Sequence, residues 1–390
     1  MAPSPRPATL TDANVPPEVL ARLSRVRTKL LKARGAISRG RVAPTETEDR
    51  LELFAARERL MRYRDQIAVS AGATRDLAAL QERIIGRDDI LRIGFLARGM
   101  LAARSVARLV VLGGAEHGSG FLVAPDTLIT NHHVLPDPAR AEATEVEFEL
   151  YDEGGVLVET RRCELDPRRF WFTAPELDVS LVALNGTAEG GTDVEDLGWH
   201  PLISQQGKIR IGDAVNIIQH PGGRSKSIVV HNSNLLHLEN GSDLSPFFWY
   251  SSDTEQGSSG APVFNNRWEV IGVHHRSVPR TNAADELIDE QGLVIPREEF
   301  LRDPSRAVWI ANQGVRTSRI VAALQQAQFP VDSQTLFRDL LLERWDASRL
   351  RNQGLAAALR AVQPDPGTES QRGTRTLGGR GGVTIRITLD

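Results

Sequence analysis

Three separated stretches of this 390-residue chain carry side chains suited to nucleophilic acyl chemistry. The first is Asp253-Thr254-Glu255-Gln256-Gly257-Ser258-Ser259-Gly260-Ala261-Pro262-Val263, in which glycines frame a serine pair. A serine hydroxyl attacks well only when a neighbouring base takes its proton. It also needs donors aimed at the oxygen that becomes negative. Glycine at 257 and 260 lets the backbone turn tightly, and such a turn can aim the amides of Gly257 and Ser259 into one hollow. Taken alone, the same residues read equally as a hairpin loop. The second stretch, Leu128-Ile129-Thr130-Asn131-His132-His133-Val134-Leu135, sets a histidine pair at the end of an apolar run. The third, Leu177-Asp178-Val179-Ser180-Leu181-Val182-Ala183-Leu184, opens another apolar run with an aspartate. An imidazole can relay a proton, and a carboxylate can orient it. Asp178 as an ordinary turn residue is the competing reading.

The order along the chain is His, Asp, Ser. Together the segments resemble the trypsin-like serine peptidases, specifically the bacterial glutamyl-endopeptidase and HtrA-like branch. The resemblance rests on Thr-Asn-x-His-Val, Asp-hydrophobic-Ser/Ala-Leu and Gly-x-Ser-Gly-x-Pro-Val, within residues 105–300. It implies a mainly β, chymotrypsin-like fold of two six-stranded Greek-key barrels with a cleft between them. His133, which directly precedes Val134, is then the base, and His132 points away in a structural role. Asp178 fixes the ring tautomer, Ser259 rather than Ser258 is the nucleophile, and Gly257 and Ser259 supply the oxyanion amides. His220, in Ile218-Gln219-His220-Pro221, is expected to be structural.

The substrate-binding residues stay ambiguous on this reading. Asp253 lies six residues before Ser259, where trypsin carries the acid that binds Arg or Lys, and Gln256 also matches trypsin. Against this, Val270-Ile271-Gly272-Val273-His274-His275-Arg276 resembles a segment whose histidine binds an acidic side chain in glutamyl endopeptidases. A third arrangement pairs Asp253 with His274 or Arg276, since a buried unpaired charge is costly. The expectation adopted is a basic residue before the scissile bond.

The elements that position these residues are read from periodicity. Between residues 105 and 296 short strands alternate with turns, at Arg108–Leu112, Gly118–Val123, Val146–Tyr151, Val179–Leu184, Val215–Gln219, Ser227–His231, Phe247–Ser251 and Trp268–His274. Many short strands with Gly, Pro and Asp turns indicate a barrel or sandwich. Before them, Val19, Leu23, Val26 and Leu30 form one apolar stripe, and further helices are expected at 45–67 and 74–84. A helix or extended arm is expected at 90–107 and a closing helix within 301–312, around 307–311. Helices follow at 319–328, 334–345 and 354–362, then a Gly/Ser/Thr-rich stretch. Strict alternation over Val383–Leu389 marks a strand that needs an edge to pair with. The domains expected are a helical region at 1–90, the protease domain at 91–312, a small helical domain at 313–362, and a linker with terminal strand at 363–390.

Composition limits the function class. Hydrophobic residues make up 41% and charged residues 25%, as in an ordinary soluble globular protein. No apolar run follows the N-terminal residues and none is long enough to span a bilayer. One cysteine allows no internal disulfide, so a cytoplasmic setting is expected. Residues 1–90 hold 17 Lys/Arg against 12 Asp/Glu, while 91–312 hold 19 against 31. An acidic middle with basic flanks suggests either internal docking or a basic substrate, or simply solvated surface. No zinc spacing and no phosphate loop is present, so no cofactor or metal is expected. The partners expected are a protein substrate and a regulatory protein on the helical arms, with no nucleic acid and no membrane. Family resemblance suggests a bacterial defence setting in which the peptidase processes an effector. A non-catalytic adaptor and a protease acting mainly on itself are the alternatives.

Overall fold

The computed structural model describes residues 91, 93–150, 160–185, 194–205, 207–238 and 246–346, with the backbone of short strands at 152–153, 156–157, 377–378 and 384–385. The chain forms two units, Met1–Trp345 and Asp346–Asp390.

In the first unit the strands in chain order are β1 (Val106–Val111), β2 (Glu116–Ala124), β3 (Thr127–Thr130), β4 (Glu145–Phe148), the small hairpin β5 (Asp152–Glu153) and β6 (Val156–Leu157), β7 (Arg161–Ala174) and β8 (Val179–Leu184). Six of them close into a barrel in the order β1-β2-β3-β8-β7-β4. Side chains of a strand alternate between its faces, and here both faces are covered. In β8 all six residues are buried. Val182 and Leu184 join one core with Leu109, Leu122 and Leu128. Val179, Leu181 and Ala183 join another with Phe121, Phe264 and Trp249. That is why β8 reads as an apolar run interrupted only by Ser180.

The second sheet comprises β9 (Asn216–Gln219), β10 (Ser227–Val229), β11 (Asn234–Leu238), β12 (Phe247–Ser251), β13 (Pro262–Phe264), β14 (Val270–Pro279) and β15 (Trp309–Arg316). Their order is β10-β9-β13-β14-β15-β12-β11. The sheet curls: Val215 N–H donates to Ser233 O at 3.0 Å and Gly212 N–H to Leu235 O at 2.7 Å. Residues before β9 are thereby held against β11 and a third core of Ile217, Phe248, Tyr250, Val263 and Ile271 is enclosed. The expected chymotrypsin-like, mainly β, two-barrel architecture is present. Its second half is a curled sheet of seven strands, where a closed set of six was expected.

One expectation is corrected. Residues 307–311 do not form a closing helix; Trp309–Ala311 begin β15, pairing with β14 through Val278↔Ala311 and Pro279↔Trp309. Alanine is the best helix former, but propensity is a weak prior, and pairing with β14 together with the burial of Ala307, Ile310 and Ala311 overrides it. The boundary expected after residue 312 falls inside this strand. The helices Thr317–Gln326 and Asp332–Arg344 lie near the expected positions. Ile320, Val321, Leu324, Leu341 and Trp345 belong to the core shared with β2 and β8. Trp345 Nε1–H donates to Val123 O at 2.6 Å, and Phe337 stacks on Phe170 with centroids 4.5 Å apart.

In the expected arm, Gly94–Arg104 is helical. Its Gly99 lies against Trp268, where a Cβ would come within 2.6 Å of the indole. Trp268 Nε1–H donates to Phe95 O at 2.9 Å. In the second unit Thr384–Ile385, two residues of the expected terminal strand, pair antiparallel with Leu377–Gly378. The helices expected within 1–90 and at 354–362 lie outside the described residues. No helix among the described residues is long and apolar enough to cross a membrane.

Candidate active site

Asp178 follows the 3-10 turn Pro175–Leu177 and takes a left-handed conformation, φ 54° and ψ 50°. Aspartate tolerates that region better than most residues. The turn aims its carboxylate at the chain after β3, and Asn131 Nδ2 donates to its backbone carbonyl at 2.9 Å. His133 then meets the carboxylate twice. Its backbone N–H donates to Oδ1 at 2.8 Å, and its Nδ1 lies 2.6 Å from Oδ2. The second contact fixes the proton on Nδ1 and leaves Nε2 as the basic nitrogen. Burial alone would raise the Asp178 pKa, but the neighbouring imidazoles and their hydrogen bonds outweigh it, and the carboxyl is held well below its ordinary range. His132, as expected, turns elsewhere: its Nδ1 lies 2.8 Å from Thr173 Oγ1.

The Ser259 loop is fastened to the first barrel through one residue, Ser119 of β2. Its N–H donates to Ser259 O at 2.8 Å, and its hydroxyl donates to Gly257 O at 2.8 Å. The hydroxyl accepts from His220 N–H at 3.0 Å, and its carbonyl accepts from Thr130 Oγ1 at 2.7 Å. Thr130 and His133 stand three residues apart, so His133 and the Ser259 loop are both tied to the same short strand. Within the loop, Ser258 N–H donates to Glu255 O at 3.0 Å, Gly260 N–H to His274 O at 3.1 Å and Ala261 N–H to Ser258 O at 3.0 Å. The amides of Gly257 and Ser259 have no such acceptor among the described residues. Those are the two amides expected to face an oxyanion. The Ser259 side chain is partly exposed and makes no hydrogen bond to His133 among the described residues. Such contacts commonly tighten only with substrate bound.

The three expected specificity residues separate. Asp253 and Gln256 are exposed, and their contacts run through backbone carbonyls: Gln219 Nε2 donates to Asp253 O at 3.0 Å, and Gly222 N–H to Gln256 O at 2.5 Å. His274 is buried, and its Nδ1 lies 2.8 Å from the Tyr250 hydroxyl. In place of the third arrangement, a pairing of His274 with Asp253, the ring meets a phenol. Beside it, Thr254 Oγ1 donates to Asn312 Oδ1 at 2.9 Å and Ser277 Oγ to the same oxygen at 2.7 Å. Ser119, Thr254, Ser277 and Asn312 were not read from the sequence. Only Ser119 had a local signal, as a small residue between Gly118 and Gly120.

Residues 118–273 match the trypsin-like peptidase domain. That segment is similar to trypsin-like peptidase domains. The chain is 35% identical over 262 residues to the uncharacterized protein y4fB of Sinorhizobium fredii, an alignment covering 63% of this chain and 39% of that protein. It is 23% identical over 213 residues to a glutamyl endopeptidase of Staphylococcus aureus, covering 53% of this chain and 56% of the relative. The chain thus spans about two fifths and somewhat over half of these two relatives' lengths. A crystal structure of the Rv3671c protease, inactive form, aligns at TM-score 0.36 and 17% identity, over 60% of this chain and 91% of that one.

Cys163 of the peptidase domain is buried, and burial pushes its thiol up to about 11, which leaves it no nucleophilic role. The ligand-type atoms of His133, Asp178 and His275 lie within 4.8 Å of one another. Both Nδ1 atoms already engage the carboxylate, so the cluster is a hydrogen-bonded one. Two other histidines set an acid limit on the fold. Burial pushes His220 and His274 down to about 3. In the unfolded chain such rings take up a proton near pH 6.5. The unfolded state therefore binds more protons as the pH drops below that value, and stability falls with it. Each ring should cost on the order of 2 kcal/mol between pH 7 and pH 5. The urea midpoint should be clearly lower at pH 5, with a weaker pH dependence in His220→Asn. Equal midpoints at the two pH values would contradict the neutral, buried assignment.

Proposed function

We propose that this chain is a serine endopeptidase that hydrolyses a protein substrate through an acyl-enzyme. The observation that carries the proposal is the doubly hydrogen-bonded His133–Asp178 pair, registered through β3 and Ser119 against the Ser259 loop. Ser259 Oγ attacks the scissile carbonyl while its proton passes to His133 Nε2. The amides of Gly257 and Ser259 hold the oxyanion, and the leaving amine departs with the proton from His133. Water then repeats the sequence, releasing the acid product and restoring Ser259. Asp178 stays ionised throughout and steadies the imidazolium.

For the residue before the scissile bond, the buried position of His274 favours an acidic side chain over the basic one that Asp253 suggested. With the Tyr250 hydroxyl donating to Nδ1, the neutral His274 ring carries its proton on Nε2 and can present it to a substrate carboxylate. The Staphylococcus aureus relatives named glutamyl endopeptidase support that choice. Cleavage of a peptide library, with product masses read for the residue on the acyl side, tests both parts. Cuts after Glu or Asp, absent in Ser259→Ala, support the reading. Cuts after Arg or Lys return the pocket to Asp253, and no cleavage above the Ser259→Ala control favours the adaptor alternative. A cytoplasmic setting extends the proposal on the single cysteine, a regulatory protein on the helical arms extends it on their apolar stripes, and an effector substrate in a bacterial defence system extends it on family resemblance alone.

A further inference from the structure

We propose that His275 is a positioning residue, a second imidazole that clamps Asp178 so that its carboxylate stays aligned with His133. His275 Nδ1 lies 2.6 Å from Asp178 Oδ2. That is the same oxygen, at the same distance, that His133 Nδ1 meets. The carboxylate therefore accepts from three donors: His133 N–H on Oδ1, and two imidazoles on Oδ2.

The fold places His275 there by a local device. β14 and β15 pair in register through His274↔Gly314 and resume at Arg276↔Gln313, so His275 is the extra residue of a bulge. A bulge re-aims a side chain that a regular strand would direct elsewhere. While His274 bonds Tyr250 in the interior of the second sheet, His275 reaches the first barrel's aspartate, 97 residues earlier in the chain. Its ring stacks on Phe247 of β12, with centroids 5.4 Å apart and planes 18° from parallel. That contact restricts the ring's rotation. The charged and titratable groups around it are Asp178, His133, His274 and Arg276. Burial, the largest influence, lowers its pKa against the pull of Asp178, so at neutral pH it acts as an uncharged N–H donor. No proton passes through it during the reaction.

A buried carboxylate with one ring donor can rock about its Cβ–Cγ bond, and small misalignments at a base are costly in rate. A second donor from an independent strand removes that freedom. It also draws electron density from Oδ2, which moderates the basicity that Asp178 confers on His133.

Two amide variants of the full chain test this. Asn at 275 can place its Nδ2–H where His Nδ1–H stands, whereas Gln places its amide nearer the Nε2 position. His275→Asn should keep kcat within about threefold of the parent, while His275→Gln should lose about tenfold or more in kcat with KM little changed. In His275→Gln the acid limb of the pH–rate profile should also move to higher pH. A merely structural role would lower both variants alike and leave the limb in place, and that result would overturn the proposal. The assignment builds on the peptidase reading but has a readout independent of it. In Ser259→Ala protein with isotope-labelled histidine, the His133 Nδ1–H resonance should move in His275→Gln and stay close to the parent in His275→Asn. An unmoved resonance in both would overturn the clamp even if no substrate were ever cleaved.

Discussion

Asp178→Asn is expected to lower kcat by about ten-thousandfold with little change in KM. The substitution keeps shape and backbone, because asparagine also tolerates the left-handed conformation found at this position. What changes is the polarity of one edge. If the amide oxygen keeps its bond from His133 N–H, the NH2 group faces the site now shared by two Nδ1 atoms. His133 must then accept at Nδ1, which moves its own proton to Nε2, the nitrogen that has to take the proton of Ser259. The base is blocked by its tautomer, and the imidazolium of the transition state loses its counter-charge. Steady-state kinetics on a cleaved peptide, with a thermal melt to confirm the fold, check this. A folded Asp178→Asn protein keeping more than about a tenth of the parent rate would contradict the assigned role.

Gly260→Ala should damage rate and stability together. A Cβ at this position would stand 2.1 Å from Ser119 O, 2.3 Å from Thr130 Oγ1 and 3.1 Å from Thr130 Cα. Two of these atoms are backbone, and the third is held by its hydrogen bond to Ser119 O. Nothing there can yield except the loop itself, and its retreat carries Ser259 away from the chain end that bears His133. The φ of +88° adds strain for any residue with a side chain. We expect a loss of at least about a hundredfold in kcat/KM and roughly 3 kcal/mol or more in unfolding free energy. Gly292→Ala provides the comparison, since φ is +82° but no atom lies within 4 Å of the added carbon. It should show only the strain, about 1 kcal/mol, with activity retained. Similar losses in the two variants would mean that conformational strain, not the packing of loop on barrel, accounts for the effect.

The candidate catalytic segments were legible because each is local: a serine between glycines, a histidine ending an apolar strand, an aspartate opening one. Strand alternation likewise gave β1, β2, β8 and β12 close to their observed limits. What stayed hidden depends on contacts across the chain. His275 meets Asp178 over 97 residues, and Ser119 meets Gly257 over 138. No spacing rule reports either pair. The bulge at His275 arises from a register shift against β15, and the start of β15 was misread because alanine's helix preference is overridden there by pairing with β14 and by burial. Asp253 was legible only as a position: its place six residues before Ser259 suggested a pocket acid, whereas its exposure and the burial of His274 are seen only in the fold and support the acidic preference proposed above.

The most direct measurement is reaction of the full chain with a fluorophosphonate, followed by intact mass and peptide mapping. The account predicts one added phosphonyl group, carried on Ser259. The label should be absent in Ser259→Ala and should form far more slowly in Asp178→Asn. A folded parent protein that takes up no label, or that carries it on Ser258 or elsewhere, would contradict the assignment of Ser259 as an activated nucleophile.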